Sequence, residues 1–186
     1  MATRPATRRF TVDDYYRMAD AGVLGPEDRV ELIDGEIIEM APIGSRHATC
    51  VRALTRVLSA QVGDSAVVSV QSPVRLDDFS EPEPDVALLR PPPDRYASAH
   101  PEPADVLLLV EVADTTQSYD RSRKLPRYAA AGIAEVWLVD LATGTVEAHR
   151  DPARDGYASV VVAGAPDTVS PHLLPGVSVE VADLLA

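Results

Sequence analysis

A chain of 186 residues, 46% of them hydrophobic and 25% charged, has the size and composition of one globular domain and not of a disordered or fibrous protein. It contains no apolar run near the roughly 20 residues that cross a bilayer, no signal core after Arg4, Arg8 and Arg9, and one cysteine, Cys50, so a cytoplasmic protein without membrane contact is expected. Seventeen basic against 29 acidic residues give a formal net charge of −12, which opposes long-range attraction to nucleic acid and leaves that task to a local basic surface.

The first predicted element is a helix over Thr11 to Ala21, with Thr11 as N-cap, Asp14 three residues on and Gly22 as the stop. A hairpin follows. Arg29 to Ile33 and Glu36 to Met40 flank Asp34-Gly35, a pair that suits a type I′ turn because both positions need positive φ. Ser45 to Val62 reads as a second helix, with Ala48, Val51, Leu54, Leu58 and Val62 on one face. Strands are expected at Ala66 to Gln71 and Pro73 to Leu76, with a bend at Ser72-Pro73. A stiff acidic approach, Ser80 to Pro84, leads through Asp85 into the strand Val86 to Leu89, and Pro91 to Pro103 is loop.

Val106 to Ala113 (VLLLVEVA) is apolar on both faces, the pattern of a central strand covered by helices on each side. A helix over about Arg123 to Ala131 ends at Gly132, with Pro126 tolerable only near its start. Glu135 to Asp140 is a further apolar strand, followed by a strand pair, Thr145 to His149 and Tyr157 to Val162, and a short C-terminal helix. This order predicts a single α/β domain over 1–186, a mixed sheet flanked by helices with extra C-terminal strands, and a flexible N-terminal arm over 1–9.

Glu111 is the most informative residue. It interrupts the apolar strand near its carboxyl end, on the face expected to carry Leu107 and Leu109, where an isolated carboxylate loses several kcal/mol of solvation unless paired, protonated or bound to a cation. The bland alternative is a strand that has already surfaced at Glu111, but Val112 and Ala113 continue the apolar run. Asp85 lies 26 positions earlier (111 − 85), opening the preceding strand. Alone it reads as an ordinary Pro-Asp turn; beside Glu111 it makes a two-carboxylate oxygen site suited to a hard cation such as Mg²⁺ or Mn²⁺.

Lys124, 13 positions after Glu111 (124 − 111), is the only lysine among the 17 cations. Its ammonium could orient a water or a phosphate oxygen, and Arg121, Arg123 and Arg127 surround it with positive charge, although such a run is more often a solvated face. Glu31 on the hairpin is a further acidic candidate, while His47 at the start of the second helix and Gln71 at a strand end are accessory ones. Glycine-rich phosphate loops, Cys/His metal patterns and GxSxG elbows do not occur, and Cys50 sits within a helical pattern as a buried thiol.

Pro84-Asp85, Glu111-Val112-Ala113 and the segment YDRSRKLPRYAAAGIAEVWLVD from Tyr119 to Asp140 resemble the Uma-two family of endonucleases, within the PD-(D/E)XK superfamily. Glu31 to Ile37 (ELIDGEI) and HLLPGVSVEVADLL near the C-terminus fit it too, so the resemblance runs from about Phe10 onward. It implies a restriction-endonuclease-like mixed sheet flanked by helices, with Asp85 and Glu111 as magnesium ligands; the carbonyl of Val112, next to Glu111, is a further candidate ligand. Ala113 stands where the superfamily motif has lysine; the resemblance moves that lysine to the following helix, at Lys124, and makes Glu31 the extra acidic residue of the site.

The expected activity is metal-dependent hydrolysis of a nucleic-acid phosphodiester, DNA first, by an activated water, in a chain that could form a homodimer. A non-catalytic binding module with the same fold competes with it, favoured by the net charge of −12. A hydrolase of small phosphorylated substrates is a third reading, and would need an enclosed pocket too narrow for a duplex.

Overall fold

The computed structural model describes residues 7–114 and 119–185. Its centre is a six-stranded mixed sheet in the order β3-β4-β5-β6-β7-β8, made of Val67–Val70, Val86–Leu89, Val106–Ala113, Glu135–Asp140, Thr145–Ala153 and Gly156–Gly164. β5 and β6 are parallel and the other neighbours antiparallel. A hairpin of β1 (Val30–Ile33) and β2 (Glu36–Glu39) stands apart from this sheet, as does a two-residue pair of β9 (Thr168–Val169) and β10 (Val179–Glu180). The expected extra strands β7 and β8 therefore extend the main sheet, and both run longer than their apolar cores suggested.

All eight residues of β5 are buried, because each face of the sheet is covered. Helix α2 (Ser45–Val62) packs Leu54 and Leu58 with Leu108, Val110, Val112 and Trp137 on one face. Helix α3 (Leu125–Ala130) packs Leu125 and Tyr128 with Leu109, Ala113 and Leu138 on the other. Leu107 departs from the simple alternation. The pairing register shifts between Leu88 and Leu89, and Leu107 joins the α2 side, leaving Leu109 on the α3 side where Glu111 belongs.

Helix α1 (Val12–Asp20) starts as expected. Thr11 accepts from the Asp14 amide while the Asp14 carboxylate accepts from the Thr11 amide, both at 3.1 Å, so two orphan donors are satisfied reciprocally. The hairpin turn has φ of 58° at Asp34 and 74° at Gly35, as a type I′ turn requires. Arg9, within the expected N-terminal arm, donates to the Asp34 carbonyl and lies over the Phe79 ring at 4.6 Å, while 1–6 lie outside the described residues.

Two expected elements differ. Pro73 to Leu76 is not a strand, although Val74 and Leu76 donate to the carbonyls of Pro82 and Ser80. The facing segment contains Pro82 and Pro84, which have no N–H to extend a ladder. The helix expected from Arg123 instead begins as a π-turn over Asp120–Lys124, in which the Leu125 amide reaches the Asp120 carbonyl, and becomes α-helical at Leu125. Pro126 explains this. Its ring crowds the carbonyl four residues back and it offers no N–H, so the preceding turn widens.

The hairpin is held against the rest of the chain through Gly35, whose amide donates to Phe79 and whose carbonyl accepts from Phe10. A Cβ there would lie 2.6 Å from that of Arg9 and 2.9 Å from the Phe10 carbonyl. Gly35→Ala is expected to lose at least about 1–2 kcal/mol from the left-handed conformation alone. Its urea midpoint should fall accordingly, and a midpoint equal to the parent's would show that the hairpin does not anchor as described.

Candidate active site

Val86 faces Val110 across the antiparallel β4–β5 pair, so Asp85 and Glu111, the next residues outward, arrive side by side at one end of the sheet. Both line a cavity of about 610 Å³ together with Glu31, His47, Gln71, Val112 and Lys124. The seven residues singled out from sequence thus meet in one place, drawn from β1, α2, the end of β3, β4, β5 and the π-turn.

Glu111 is 4% exposed and points toward α3. Its Oε1 accepts from the Tyr128 hydroxyl at 2.6 Å and from Lys124 Nζ at 3.2 Å. Lys124 Nζ also lies 3.0 Å from Glu31 Oε2, which accepts from the Glu83 amide as well. Burial drives the Glu111 carboxyl well above the usual carboxylate range; Lys124 and Tyr128 oppose the shift, and the charges of Asp85 and Asp120 reinforce it. Burial alone would lower the Lys124 ammonium, but Glu111 and Glu31 outweigh it and hold the amine above its ordinary value.

Asp85 is held differently. Its Oδ2 accepts from the Val112 amide at 2.9 Å and lies 3.0 Å from His47 Nε2, while Gln71 Nε2 approaches Oδ1 at 3.4 Å. The bond to Asp85 raises the His47 imidazole above its ordinary pKa, against the opposing effect of burial. His47 Nδ1 is buried without a hydrogen-bond partner among the described residues. Gln71 reaches Asp85 from a backbone with φ of 45°, a left-handed conformation unusual for a glutamine.

Tyr128, Tyr119 and Asp120 escaped the sequence reading. Tyr128 is four residues after Lys124 (128 − 124) and therefore on the same helical face, a spacing that could have revealed it. The Tyr119 hydroxyl is buried without a hydrogen-bond partner among the described residues, and Tyr119 and Asp120 both line the cavity. The arginines around Lys124 do not form a free positive patch. Arg121 pairs with Glu147 and Asp140, Arg123 with Glu36, and Arg127 with Asp34.

Seven carboxylates line the cavity, those of Glu31, Glu39, Glu83, Asp85, Glu111, Asp114 and Asp120, against two permanent cations, Arg29 and Lys124. Among the described residues, no group of three or more His, Cys, Asp or Glu side chains is arranged to hold a metal ion. The available oxygen donors are instead a pair of carboxylates beside a strand backbone. That set fits Mg²⁺, which takes one or two carboxylates and keeps several waters.

A helix-flanked mixed sheet with a buried Asp-Glu-Lys group at one end is the frame of a nuclease-like protein. The chain belongs to the Uma2 family, whose model, described as "Putative restriction endonuclease", matches residues 12–182. A crystal structure described as that of "a putative nuclease belonging to DUF820" from Anabaena variabilis ATCC 29413 shares the fold, with a TM-score of 0.73 at 18% identity, covering 95% of this chain and 97% of that one. Comparison with curated proteins returned no match.

Tyr128→Phe removes one buried donor from Glu111 without changing side-chain shape. It is expected to lower stability by about 1–3 kcal/mol, the range for removing one partner of a buried polar group. The urea midpoint should fall at unchanged m-value. An unshifted midpoint would mean that Lys124 alone stabilises the buried carboxylate.

Proposed function

We propose that the chain is a metal-dependent endonuclease that hydrolyses nucleic-acid phosphodiester bonds, DNA being the first substrate to test. The observation that carries this reading is the side-by-side placement of Asp85 and Glu111 at the end of two buried strands, with Lys124 Nζ 3.2 Å from Glu111. Membership of a family whose model is described as "Putative restriction endonuclease" supports the reaction class. An acidic cavity cannot receive a phosphodiester until much of its charge is offset. Asp85, Glu111 and the Val112 carbonyl would hold Mg²⁺ or Mn²⁺. When bound, the ion supplies charge neutralisation and makes water a stronger acid.

The remaining steps belong to the protein's own side chains. Glu31 and Glu111 keep Lys124 protonated, and the Lys124 ammonium orients the attacking water and stabilises the negative charge that grows on phosphorus oxygens. The water oxygen gives up a proton to the surrounding solvent and forms the new P–O bond as the bond to the leaving sugar oxygen breaks, and that oxygen takes up a proton from solvent. His47, poised on Asp85, is the accessory proton carrier. Tyr128 fixes the rotamer of Glu111, and Gln71 and the Val112 amide fix that of Asp85. A reducing cytoplasm suits Cys50, a buried free thiol; among the described residues no helix is long and apolar enough to cross a membrane.

The test separates binding from chemistry. Mg²⁺ at ~100 times its dissociation constant should stabilise the parent by about 2.7 kcal/mol, seen as a raised Tm. Glu111→Gln preserves shape and the Tyr128 contact; it should lose that shift and at least about 100-fold in hydrolysis rate. A parent without activity on any nucleic acid in Mg²⁺ or Mn²⁺, yet stabilised by the ion, would favour the non-catalytic binding module. That second reading draws on the net charge of −12 and on the ion pairs that consume the arginines around Lys124.

A homodimer belongs to the same reading, with β8 as its surface. Among the described residues no strand pairs with the outer edge of β8, and Val160, Val161 and Val162 are 48%, 51% and 59% exposed. The strand has no charge and no proline to guard that edge. Its sequence is nearly symmetric about Val161, with Val160 matching Val162, Ser159 matching Ala163 and Ala158 matching Gly164. A second copy pairing antiparallel would therefore meet residues of its own size. Sedimentation should show a dimer that Val161→Lys dissociates by setting like charges opposite each other. A parent that is monomeric at all concentrations would remove the dimer.

A further inference from the structure

Beside the active-site cavity runs a second depression of about 420 Å³, lined by Ile43, Val51, Arg52, Arg56, Val70 and Gln71, among others. The two are neighbours, with Ile43 and Gln71 lining both. This groove differs from the cavity in charge. Arg52 and Arg56 are exposed and make no ion pair among the described residues; the one side-chain bond of Arg52 is to the Thr49 hydroxyl at 2.9 Å. Most other arginines near the cavity mouth are spoken for, Arg121, Arg123 and Arg127 by carboxylates and Arg29 by the Ala41 carbonyl.

We infer that this groove is the path of a single nucleic-acid strand leaving the active site, with its phosphates on Arg52 and Arg56 and a base against Ile43, Val51 and Val70. The inference rests on the hydrolysis proposed above and names its substrate class. Four residues apart on α2, the two arginines share a face and their Cα atoms stand about 6 Å apart along the axis, a spacing from which long side chains can serve successive phosphates of an extended strand. The apolar floor gives an unstacked base a surface to cover, which a base paired inside a duplex does not need.

Charge argues against a duplex. A second phosphate chain would have to pass the carboxylates that line the cavity, Glu39, Glu83 and Asp114 among them, in a protein of net charge −12. A single strand needs one cationic path, and the groove offers one. Gln71 marks the junction, with its amide on Asp85 and its backbone in the left-handed conformation that places it between cavity and groove.

The experiment measures binding of a fluorescein-labelled oligothymidylate by anisotropy in Mg²⁺ over a range of salt, beside a duplex of equal length and a cleavage assay on both. The parent should prefer the single strand. Arg52→Ser/Arg56→Ser should bind more weakly, with the slope of log K against log[salt] shallower by about 1.4, as two lost phosphate contacts require. Arg154→Ser, at the exposed β7–β8 turn, serves as the control for loss of charge and should keep the parent slope. A double variant with the parent's affinity and slope, a control that shifts as much per charge, or a parent that prefers duplex would each overturn the inference while cleavage by the parent left the proposed hydrolysis standing. A parent that neither binds nor cleaves either form would overturn both.

Discussion

The structure depends on one constraint: Glu111 is buried near the carboxyl end of a strand that is otherwise wholly apolar. A carboxylate there is tolerable only if other groups are brought to it, and three segments are shaped to do so. The π-turn ahead of α3 delivers Lys124, the following helical turn delivers Tyr128, and the β1–β2 hairpin delivers Glu31 as a second partner for Lys124. The lysine bridges two acids that would otherwise repel each other. Removing one member of such a group leaves charge without a partner, which is far more destabilising than the net worth of the pair.

Much of this was legible in the sequence, for identifiable reasons. The Asp34-Gly35 turn, the Thr11 cap and both ends of α2 are written in local chemistry that tertiary packing does not override. Glu111 was visible because the apolar run of VLLLVEVA continues past it, which weakens the reading of a surfaced strand, and Lys124 because it is the only lysine in an arginine chain. The failures share a cause as well. The π-turn depends on Pro126 acting four residues back, the missing strand at Pro73 to Leu76 on prolines in a segment it faces, and the displacement of Leu107 on a register shift with β4. Each is an interaction between segments or between turns, which periodicity along one segment does not encode.

Arginine placement was the hardest feature to read. Proximity in sequence made Arg121, Arg123 and Arg127 look like a substrate surface around Lys124. In the fold they point outward from the π-turn and α3 to carboxylates of the hairpin and of β6 and β7, and so secure the elements that carry the site. Arg52 and Arg56 lie nearly 70 residues earlier (121 − 52 = 69) yet border the groove beside the cavity. A chain with 29 acidic residues has a carboxylate within reach of most of its cations. The informative arginines are those left unpaired, and it is the fold that separates them from the paired ones.

The solitary lysine has a physical reason that precedes any catalytic one. Lys124 is 5% exposed, and its ammonium lies 3.0 Å from Glu31 and 3.2 Å from Glu111. A compact ammonium with three rotatable donors fits between two carboxylates that approach from different elements. A guanidinium is planar, carries five donors in a fixed fork and would leave several of them buried without acceptors. The exposed positions of this chain are therefore free to be arginine, and this one is not. Catalysis and folding ask for the same residue here. Its rarity marks a buried charge constraint, and its function has to be read from what lies beside it: two carboxylates at the end of a sheet, open to a cavity too acidic to accept a phosphodiester unaided.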